Sequence, residues 1–179
     1  MVPPPPQKKT NWFKLNTDGS SLDNPGLAGG GGGLIRNEKG EWVKGYARVI
    51  GTTTSAAAEL WALRDGIRLC IVLKLPAVVV ELDSELVVKL IKKELNNPNG
   101  LDVLVTDCRD VLRDIPLVRI QHCYREANKC ADALVRWGAL LGQDFSIFLE
   151  PPPDVAFLLS LDSAGTLYDC FVPSVLEDG

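Results

Sequence analysis

The sequence has a single histidine, His122, and no two cysteines spaced as C-x-x-C. Zinc sites are built mainly from cysteine and histidine side chains, so a zinc site has little material here. A Ser-His-Asp triad built on any other histidine is excluded for the same reason. The five cysteines are odd in number and scattered, which favours buried thiols and a reducing intracellular compartment, without distinguishing nucleus from cytoplasm.

An excess of positive charge is also missing. The chain has 19 lysines and arginines against 23 acidic residues and a net charge of −4, so no global positive field indicates a nucleic-acid partner. No stretch approaches the roughly 20 consecutive apolar residues of a membrane helix, and the N-terminus lacks the order of a signal peptide. We therefore expect a monomer without membrane contact.

Composition divides the chain into three parts. Residues 1–11 begin with Met1–Pro6, a proline run typical of an extended tether, and form a predicted N-terminal linker. Residues 12–145 have enough apolar content for one folded domain. Residues 146–179 form a predicted C-terminal extension, with three prolines at 151–153 followed by an apolar run. We expect that the chain is a piece of a longer protein.

Three strands are predicted at the start of the domain. Side chains from Phe13 to Asp18 point alternately to two faces, as in a half-buried strand. Gly29–Gly33 follows a turn, and five consecutive glycines indicate either flexibility or close approach of two backbones. A turn at Asn37–Gly40 precedes strand-forming residues from Glu41 to Ile50. We expect these three strands to be antiparallel.

The pattern then changes to alternating helices and strands. Apolar residues recur at helical spacing from Ser55 to Leu73. The elements predicted after that helix are a buried parallel strand over 77–82, a helix capped by Ser84 and running to about Glu94, a further helix to about Asp114, a strand from Leu117 to Tyr124, and a helix capped by Asn128 that ends near Leu141 and Gly142. The order βββ, α, β, αα, β, α indicates the α/β class.

Four acidic residues stand at the ends of these elements. Asp18 ends the first strand, Glu59 lies on the apolar stripe of the first helix, Asp83 ends the buried strand, and Asp132 lies in the first turns of the last helix. Each has an ordinary alternative: a solvated turn for Asp18, capping for Asp83, and the helix dipole for Glu59 and Asp132. These alternatives do not explain why all four could converge at one edge of a sheet.

Convergence of four carboxylates predicts metal binding. Such groups raise one another's proton affinity unless cations are present. Ligands that are all oxygen favour Mg²⁺, or Mn²⁺, over zinc. Two such ions about 4 Å apart can activate a water and stabilise the leaving oxygen of a phosphodiester. The hydrolysis of a phosphodiester is the reaction that this arrangement serves best.

Five short segments of the sequence resemble a known family. They are Leu15–Ser20, Ala58-Glu59-Leu60, Asp83-Ser84, Arg125–Asn128 and Ala131-Asp132. In order and context they resemble type 1 ribonuclease H, in particular the plant ribonuclease H-like domains related to retroelement reverse transcriptases. The resemblance spans residues 12–142. It implies a five-stranded mixed sheet, three strands antiparallel and two parallel, flanked by helices, in which the glycine run forms the second strand.

The resemblance also implies a function. Members of the family cut the RNA strand of RNA-DNA hybrids and leave 5′-phosphomonoesters, using two Mg²⁺ ions held by four acids, here Asp18, Glu59, Asp83 and Asp132. Contacts to the hybrid would fall on Gly19, Ser20, Ser55, Ser84, Arg125 and Asn128. A covalently linked upstream reverse-transcriptase-like domain is a further implied partner. A non-catalytic nucleic-acid-binding or scaffold module, or an inert remnant of such a domain, remains an alternative.

Several features depart from the family pattern. Thr54-Ser55-Ala56 stands where many members have an asparagine that touches the hybrid. Between residues 95 and 114 the only basic residues are Arg109 and Arg113, so the basic handle of cellular members is absent. Its absence predicts a modest, salt-dependent affinity for the hybrid. Arg125 replaces the histidine of bacterial members, and His122 falls on a strand, which favours a structural role. Other predicted phosphate contacts are Lys14, Arg36, Lys44 and Lys129, each otherwise a solvated charge.

Overall fold

The computed structural model describes residues 11–21, 26–96 and 100–163, with the side chains of 26–28 and 163 left out. Six strands and five α-helices are present in these ranges. The strands are β1 (Phe13–Ser21), β2 (Gly26–Arg36), β3 (Trp42–Thr53), β4 (Ala77–Leu82), β5 (Leu117–His122) and β6 (Phe145–Phe148). The helices are α1 (Ser55–Val72), α2 (Glu85–Ile91), α3 (Asp102–Leu112), α4 (Lys129–Leu141) and α5 (Pro153–Ser163), and a short 3₁₀ turn covers Arg125–Ala127.

One mixed sheet runs through the domain, in the strand order β5-β4-β1-β2-β3-β6. Strands β1, β2 and β3 are antiparallel neighbours, while β4 is parallel to β1 and β5 is parallel to β4. The predicted α/β class, with three antiparallel strands followed by two parallel ones, is therefore confirmed. Strand β1 runs on to Ser21, so Asp18 lies within that strand and not at its end as predicted. Asp18 and Asp83 directly follow Thr17 and Leu82, the last pair in the parallel register of β1 and β4, and therefore lie at the same edge of the sheet.

The predicted number of five strands is wrong. A sixth strand, β6, pairs antiparallel with Gly45–Arg48 of β3 and closes that edge of the sheet. It begins three residues after Gly142, whose positive φ of 64° ends α4 as predicted. Because β6 spans residues 145–148, it crosses the boundary predicted between the domain and its C-terminal extension.

The glycine run of β2 allows helices to approach the sheet from both sides. A Cβ atom on Gly31 would lie 3.0 Å from the Cβ of Ala62 in α1, whereas one on Gly32 would lie 3.2 Å from the backbone nitrogen of Val135 in α4. Successive glycines thus face opposite helices, as the alternation of a strand requires. Close backbone approach, rather than flexibility, accounts for the run.

Two apolar cores lie on the two sides of the sheet. The larger core packs α1, α2 and α3 against β1, β4 and β3, with Leu15, Tyr46 and Leu63 fully buried. The smaller core packs α4 and α5 against β2 and includes Leu34, Leu134 and Val155. Val155 is fully buried, so α5 contributes to a core of the domain.

The sequence predicted buried thiols, and it predicted no membrane-spanning helix. Cys70, Cys108, Cys123 and Cys130 are buried and form no disulfide, as predicted, and Cys170 lies outside the described residues. Burial raises the pKa of Cys70 to about 12, of Cys108 to about 12 and of Cys130 to about 11. Within the described ranges, none of the helices has the length and apolar character needed to cross a bilayer.

Candidate metal and nucleic-acid site

An open cleft of about 720 Å³ lies where β1 and β4 end and where α1, α2 and α4 begin. It is lined by the four acids and by the six residues that the family resemblance implies for hybrid contacts: Asp18, Gly19, Ser20, Ser55, Glu59, Asp83, Ser84, Arg125, Asn128 and Asp132. The first turns of α1 and α4 face the cleft, and helix N-termini favour anions. The cleft therefore combines acidic side chains with backbone groups suited to phosphate.

Gly19 brings the first two carboxylates together. A Cβ atom at this position would lie only 2.2 Å from the backbone nitrogen of Glu59 and 2.3 Å from the carbonyl carbon of Ala58. Only glycine lets β1 touch the backbone of α1 here. Thr54 fixes the start of that helix, because its hydroxyl accepts a hydrogen bond of 3.2 Å from the backbone of Ala57. Glu59 is consequently held beside Asp18, with 6% of its surface exposed.

Asp18, Glu59 and Asp83 form a compact group of carboxylates. Each offers one oxygen atom such that all three atoms lie within 4.8 Å of one another. Burial, followed by the charges of Asp83 and Asp132, raises the pKa of Asp18 to about 7. Burial and then the charge of Asp18 hold the pKa of Glu59 well above its usual range. The pKa of Asp83 is also raised by burial, which the positive charge of Arg125 partly offsets.

The group has the chemistry of a divalent-cation site. Glu59 Oε2 is buried and has no hydrogen-bond partner, although buried carboxylate oxygens are normally satisfied. The three side chains offer only oxygen ligands, which suit Mg²⁺ or Mn²⁺. A bound cation would satisfy Glu59 and favour the ionised carboxylates, whose burial raises their pKa values. The residues present therefore fit a metal of this class.

Asp132 lines the same cleft but stands apart from the three-acid group. Its Oδ2 accepts a hydrogen bond of 2.6 Å from Arg136, one turn further along α4, and its side chain is 52% exposed. Its negative charge nevertheless reaches Asp18 and raises the pKa of that residue. The structure thus brings three of the four predicted acids into one group and keeps the fourth at the rim.

Asp83 has basic and aromatic neighbours. The Arg125 guanidinium Nε lies 3.8 Å from Asp83 Oδ2, with 92% of the Arg125 side chain exposed. His122 Nε2 is 3.2 Å from the carbonyl oxygen of Asp83, and its ring meets that of Tyr124 edge-on. These contacts are compatible with the structural role predicted for His122, which stays a prediction. Ser84 caps α2 by accepting a hydrogen bond of 3.3 Å from the backbone of Val87.

Two of the predicted phosphate contacts are paired within the protein instead. Lys14 Nζ lies 3.1 Å from Glu81 Oε1, and Arg36 Nη1 lies 3.0 Å from Asp162 Oδ2 in α5. Neither residue lines the cleft, and neither does Lys44, whereas Arg125 and Lys129 do. Lys14 pairs with a neighbouring strand and Arg36 with a helix, at a distance from the cleft, and the sequence pattern shows neither ion pair.

Asn128 is placed differently from its predicted capping role. It occupies the N-cap position of α4, but its side chain makes no capping hydrogen bond. The amide instead donates to the carbonyl oxygen of Thr17 at 2.8 Å and accepts from the amide of Asn16 at 3.4 Å. Buried contacts to β1 outcompete the local cap, and the side chain is only 2% exposed.

Sequence interpretation missed two buried polar residues behind the carboxylates. Asn16 and Glu81, each 1% exposed, are opposite each other on β1 and β4 and joined by a hydrogen bond of 3.1 Å. A signal for Glu81 was present, because an acidic side chain inside an apolar strand needs buried partners. Asn16 offered no such signal, since it lies on the polar face of an alternating strand.

Comparisons with known proteins agree with this geometry. Residues 16–138 match the family model described as reverse transcriptase-like. A protein of Arabidopsis thaliana named as a candidate ribonuclease H protein is 39% identical over 155 residues, which is 87% of this chain and 25% of that protein. The chain thus spans a quarter of the length of this curated relative.

Solved structures show the same fold. Ribonuclease H1 of the halophilic archaeon Halobacterium salinarum is 24% identical, with 73% of this chain and 99% of that chain covered and a TM-score of 0.69. LC11-RNase H1, isolated from compost, is 29% identical over 72% of this chain and 96% of that chain, with a TM-score of 0.65. The chain belongs to the reverse transcriptase-like family and has the ribonuclease H fold.

Proposed function

We propose that this chain is a metal-dependent endoribonuclease that hydrolyses the RNA strand of RNA-DNA hybrids and leaves 5′-phosphomonoester ends. The observation that carries the proposal is the group of three carboxylates that line an open cleft: the buried Asp18 and Glu59, and the partly buried Asp83. Burial of these acids raises the pKa of each of them, and the charges of neighbouring acids add to the effect for Asp18 and Glu59. A cluster whose ionised state the fold disfavours is typical of a site that receives cations.

Asp18, Glu59 and Asp83 would hold the metal, with Asp132 as a fourth ligand once it leaves Arg136. When bound, Mg²⁺ or Mn²⁺ ions, two of which we expect with substrate, would supply a water nucleophile at neutral pH and neutralise charge on the phosphodiester. The chain's own part is to fix the carboxylates. Gly19 sets the distance between β1 and α1, and Arg125 balances the charge of Asp83.

The rim of the cleft would hold the hybrid. Arg125 and Lys129 supply positive charge, and hydroxyl or backbone groups come from Ser20, Ser55 and Ser84. These groups contact phosphates and sugars rather than base edges, so we expect little sequence preference. A related enzyme, LC11-RNase H1, 30% identical to this chain with a TM-score of 0.64, has been crystallised with an RNA/DNA hybrid, which supports this class of substrate. Asn128 lines the cleft but is only 2% exposed, and its amide donates to Thr17, so it would position the site rather than touch the hybrid.

A second candidate is a non-catalytic nucleic-acid-binding module. The observation that favours it is the ion pair of Asp132 with Arg136, which keeps the fourth acid at the rim. An exposed pair at this helical spacing contributes only about 0.3–0.5 kcal/mol. Metal binding can therefore break it, and the nuclease remains the better-supported function.

A cleavage assay separates the two candidates. Wild type and Asp83→Asn are incubated with an end-labelled RNA-DNA hybrid in Mg²⁺, in Mn²⁺ or in EDTA. We expect metal-dependent cutting of the RNA strand by wild type and a loss of about 100-fold or more in Asp83→Asn. Asp110→Asn, at an exposed acid paired with Arg113 on α3, is the matched control and should cut normally. Hybrid binding without cutting at any enzyme concentration would favour the binding module.

We also propose that the domain functions within a longer polypeptide, with a reverse-transcriptase-like domain upstream. The support is the coverage of the Arabidopsis relative, of which this chain spans 25%. Sequencing the full-length transcript tests this directly. An open reading frame that encodes only these 179 residues would contradict it.

A further inference from the structure

We infer that a buried hydrogen-bond network behind the cleft positions the helix of Asp132 against the strand of Asp18. The network consists of Asn16, Glu81 and Asn128, and we call it the Asn16 network. The inference rests on the proposed metal site, and it assigns a role to three residues that need not touch metal or substrate. Each is a positioning residue rather than a catalytic one.

Glu81 anchors the network across three strands. Its Oε1 accepts a hydrogen bond of 2.9 Å from the amide of Gln121 and lies 3.1 Å from Lys14 Nζ. Its Oε2 accepts a hydrogen bond of 3.1 Å from Asn16. Asn16, Glu81 and Gln121 lie side by side in register on β1, β4 and β5. With three donors around it, the buried charge of Glu81 is compensated and the three strands are locked in register.

Asn16 joins the sheet to α4. Its amide nitrogen donates to Glu81 and, at 3.4 Å, to Asn128 Oδ1. Its amide oxygen accepts a hydrogen bond of 2.9 Å from Arg36 Nη2. Every polar atom of the Asn16 side chain is therefore used, and the side chain is 1% exposed. A fully satisfied buried amide has one preferred orientation, which makes this junction rigid.

Asn128 makes the contact that matters for the metal site. Its amide donates to the carbonyl oxygen of Thr17, the residue before Asp18. The backbone carbonyl oxygen of Asn128 accepts a hydrogen bond of 3.2 Å from the backbone nitrogen of Asp132, at the start of α4. One residue thus holds the backbone beside the first acid and begins the helical turn that carries the fourth.

The spacing of the Asn16 network along the chain supports a positioning role. Asn16 precedes Asp18 by two residues in β1 and so lies on the same strand face. Glu81 precedes Asp83, the residue that follows the end of β4, by two residues. Asn128 precedes Asp132 by one helical turn. A network that only filled the interior would not need to adjoin three separate acid-bearing elements.

The outer end of the network reaches the C-terminal helix. Arg36 binds Asn16 through Nη2 and Asp162 of α5 through Nη1, at 3.0 Å. The Arg36 side chain is only 13% exposed. Helix α5 therefore holds Arg36 in place, and Arg36 in turn orients Asn16. The predicted C-terminal extension thus contacts the Asn16 network.

The test measures metal binding, so that it does not depend on cleavage. Mn²⁺ is titrated into the full chain by calorimetry, for wild type, Asn128→Ala and the control Trp137→Phe. The control removes a hydrogen bond of 2.6 Å between α4 and Asp154 of α5, outside the network. We expect the Mn²⁺ dissociation constant of Asn128→Ala to rise about 10-fold or more, and that of Trp137→Phe to stay within about twofold.

Kinetics add a second measurement if wild type cleaves the hybrid. Asn128→Ala should lower kcat and leave KM for the hybrid nearly unchanged, because the rim contacts are intact. If Asn128→Ala does not fold, Glu81→Gln decides, since glutamine keeps the shape of Glu81 and some of its hydrogen bonds. We expect the Mn²⁺ affinity of Glu81→Gln to fall in the same direction by a smaller factor.

Two outcomes would overturn the inference. One is a folded Asn128→Ala, or Glu81→Gln, whose Mn²⁺ affinity equals that of wild type. The other is a wild-type protein that binds no Mn²⁺. A wild type that binds Mn²⁺ but never cuts a hybrid would contradict the proposed function alone, since the effect of Asn128→Ala on Mn²⁺ affinity can still be measured.

Discussion

The stability of the metal-free protein should depend on pH because Asp18 is buried among acids. The pKa of Asp18 is raised from 3.8 to about 7, chiefly by burial, and the residue is only 7% exposed. In the folded state the carboxyl therefore keeps its proton at pH values where the unfolded chain has released it. The stabilisation this gives is fully present below about pH 4 and is lost as the pH rises through about 7.

The size of the effect follows from the pKa difference. Each pKa unit corresponds to about 1.4 kcal/mol, so ionised Asp18 costs the folded state about 4 kcal/mol at pH 8. Asparagine has nearly the same shape and no charge. In EDTA, Asp18→Asn should therefore be more stable than wild type by up to about 4 kcal/mol at pH 8, which corresponds to about 10 °C in Tm for a domain of this size. Near pH 4 the difference should vanish.

Urea unfolding followed by the fluorescence of the four tryptophans measures this difference between pH 4 and pH 8.5. Glu38→Gln, at an exposed carboxylate in the turn between β2 and β3, controls for the loss of one negative charge. Adding Mn²⁺ at pH 8 should stabilise wild type but not Asp18→Asn, since the cation binds the ionised cluster. The reasoning is refuted if Asp18→Asn is no more stable than wild type at pH 8, or if the difference is the same at pH 5.

Three further substitutions test how the site is built, each by chemical unfolding. Gly19→Ala should destabilise by about 3 kcal/mol because its Cβ would lie 2.2 Å from the backbone of Glu59; wild-type stability would show that β1 and α1 are further apart. Asp65→Asn should cost about 3 kcal/mol by leaving Arg48 without its buried partner, and a neutral result would mean that solvent replaces the pair. Ser84→Ala should cost about 1 kcal/mol by removing the cap of α2, whereas no loss would show that the cap is unused.

Local patterns predicted most of the fold. Helical spacing in α1 and the apolar run of β4 each reflect burial within one element, and sequence records that directly. Alternation located β1 but predicted a half-buried strand, whereas Leu15–Gly19 are all buried because both α1 and α4 contact β1. Strand β6 could not be predicted in this way. Its four residues are too few to show a period, and only one of them is buried. What makes Phe145–Phe148 a strand is the open edge of β3, a partner about 100 residues away in sequence.

The glycine run illustrates the same limit. Five glycines are compatible with a flexible segment or with close packing, and nothing within the run distinguishes the two. The answer comes from Ala62 and Val135, which lie on helices at opposite faces of the sheet. Three-dimensional neighbours decide whether the missing side chains leave space or admit a helix.

For the site, element ends were enough to predict that the acids converge but not how each carboxylate points. Asp18, Glu59 and Asp83 come together because two parallel strands end beside the start of α1. Asp132 begins α4 at the same place, yet its carboxylate turns to Arg136. That pair is visible in the sequence as an i,i+4 spacing. Whether Asp132 pairs with Arg136 or joins the three other acids depends on the electrostatics of the whole site, and sequence spacing alone does not determine that.

Glu81 and Asn128 show why support residues are harder to predict than ligands. A candidate metal ligand can be recognised from its residue type and its position at the end of an element. Asn128, in contrast, is suited to cap its own helix, but its side chain instead bonds Thr17 and Asn16, more than 100 residues away. Glu81 is conspicuous in an apolar strand, but its partners come from β1 and β5. A local prediction assigns each residue its best local partner, and it fails where a buried long-range contact is stronger. Because such contacts hold separate elements in register, the two residues that local rules misplace here, Glu81 and Asn128, lie close to the carboxylates of the cleft.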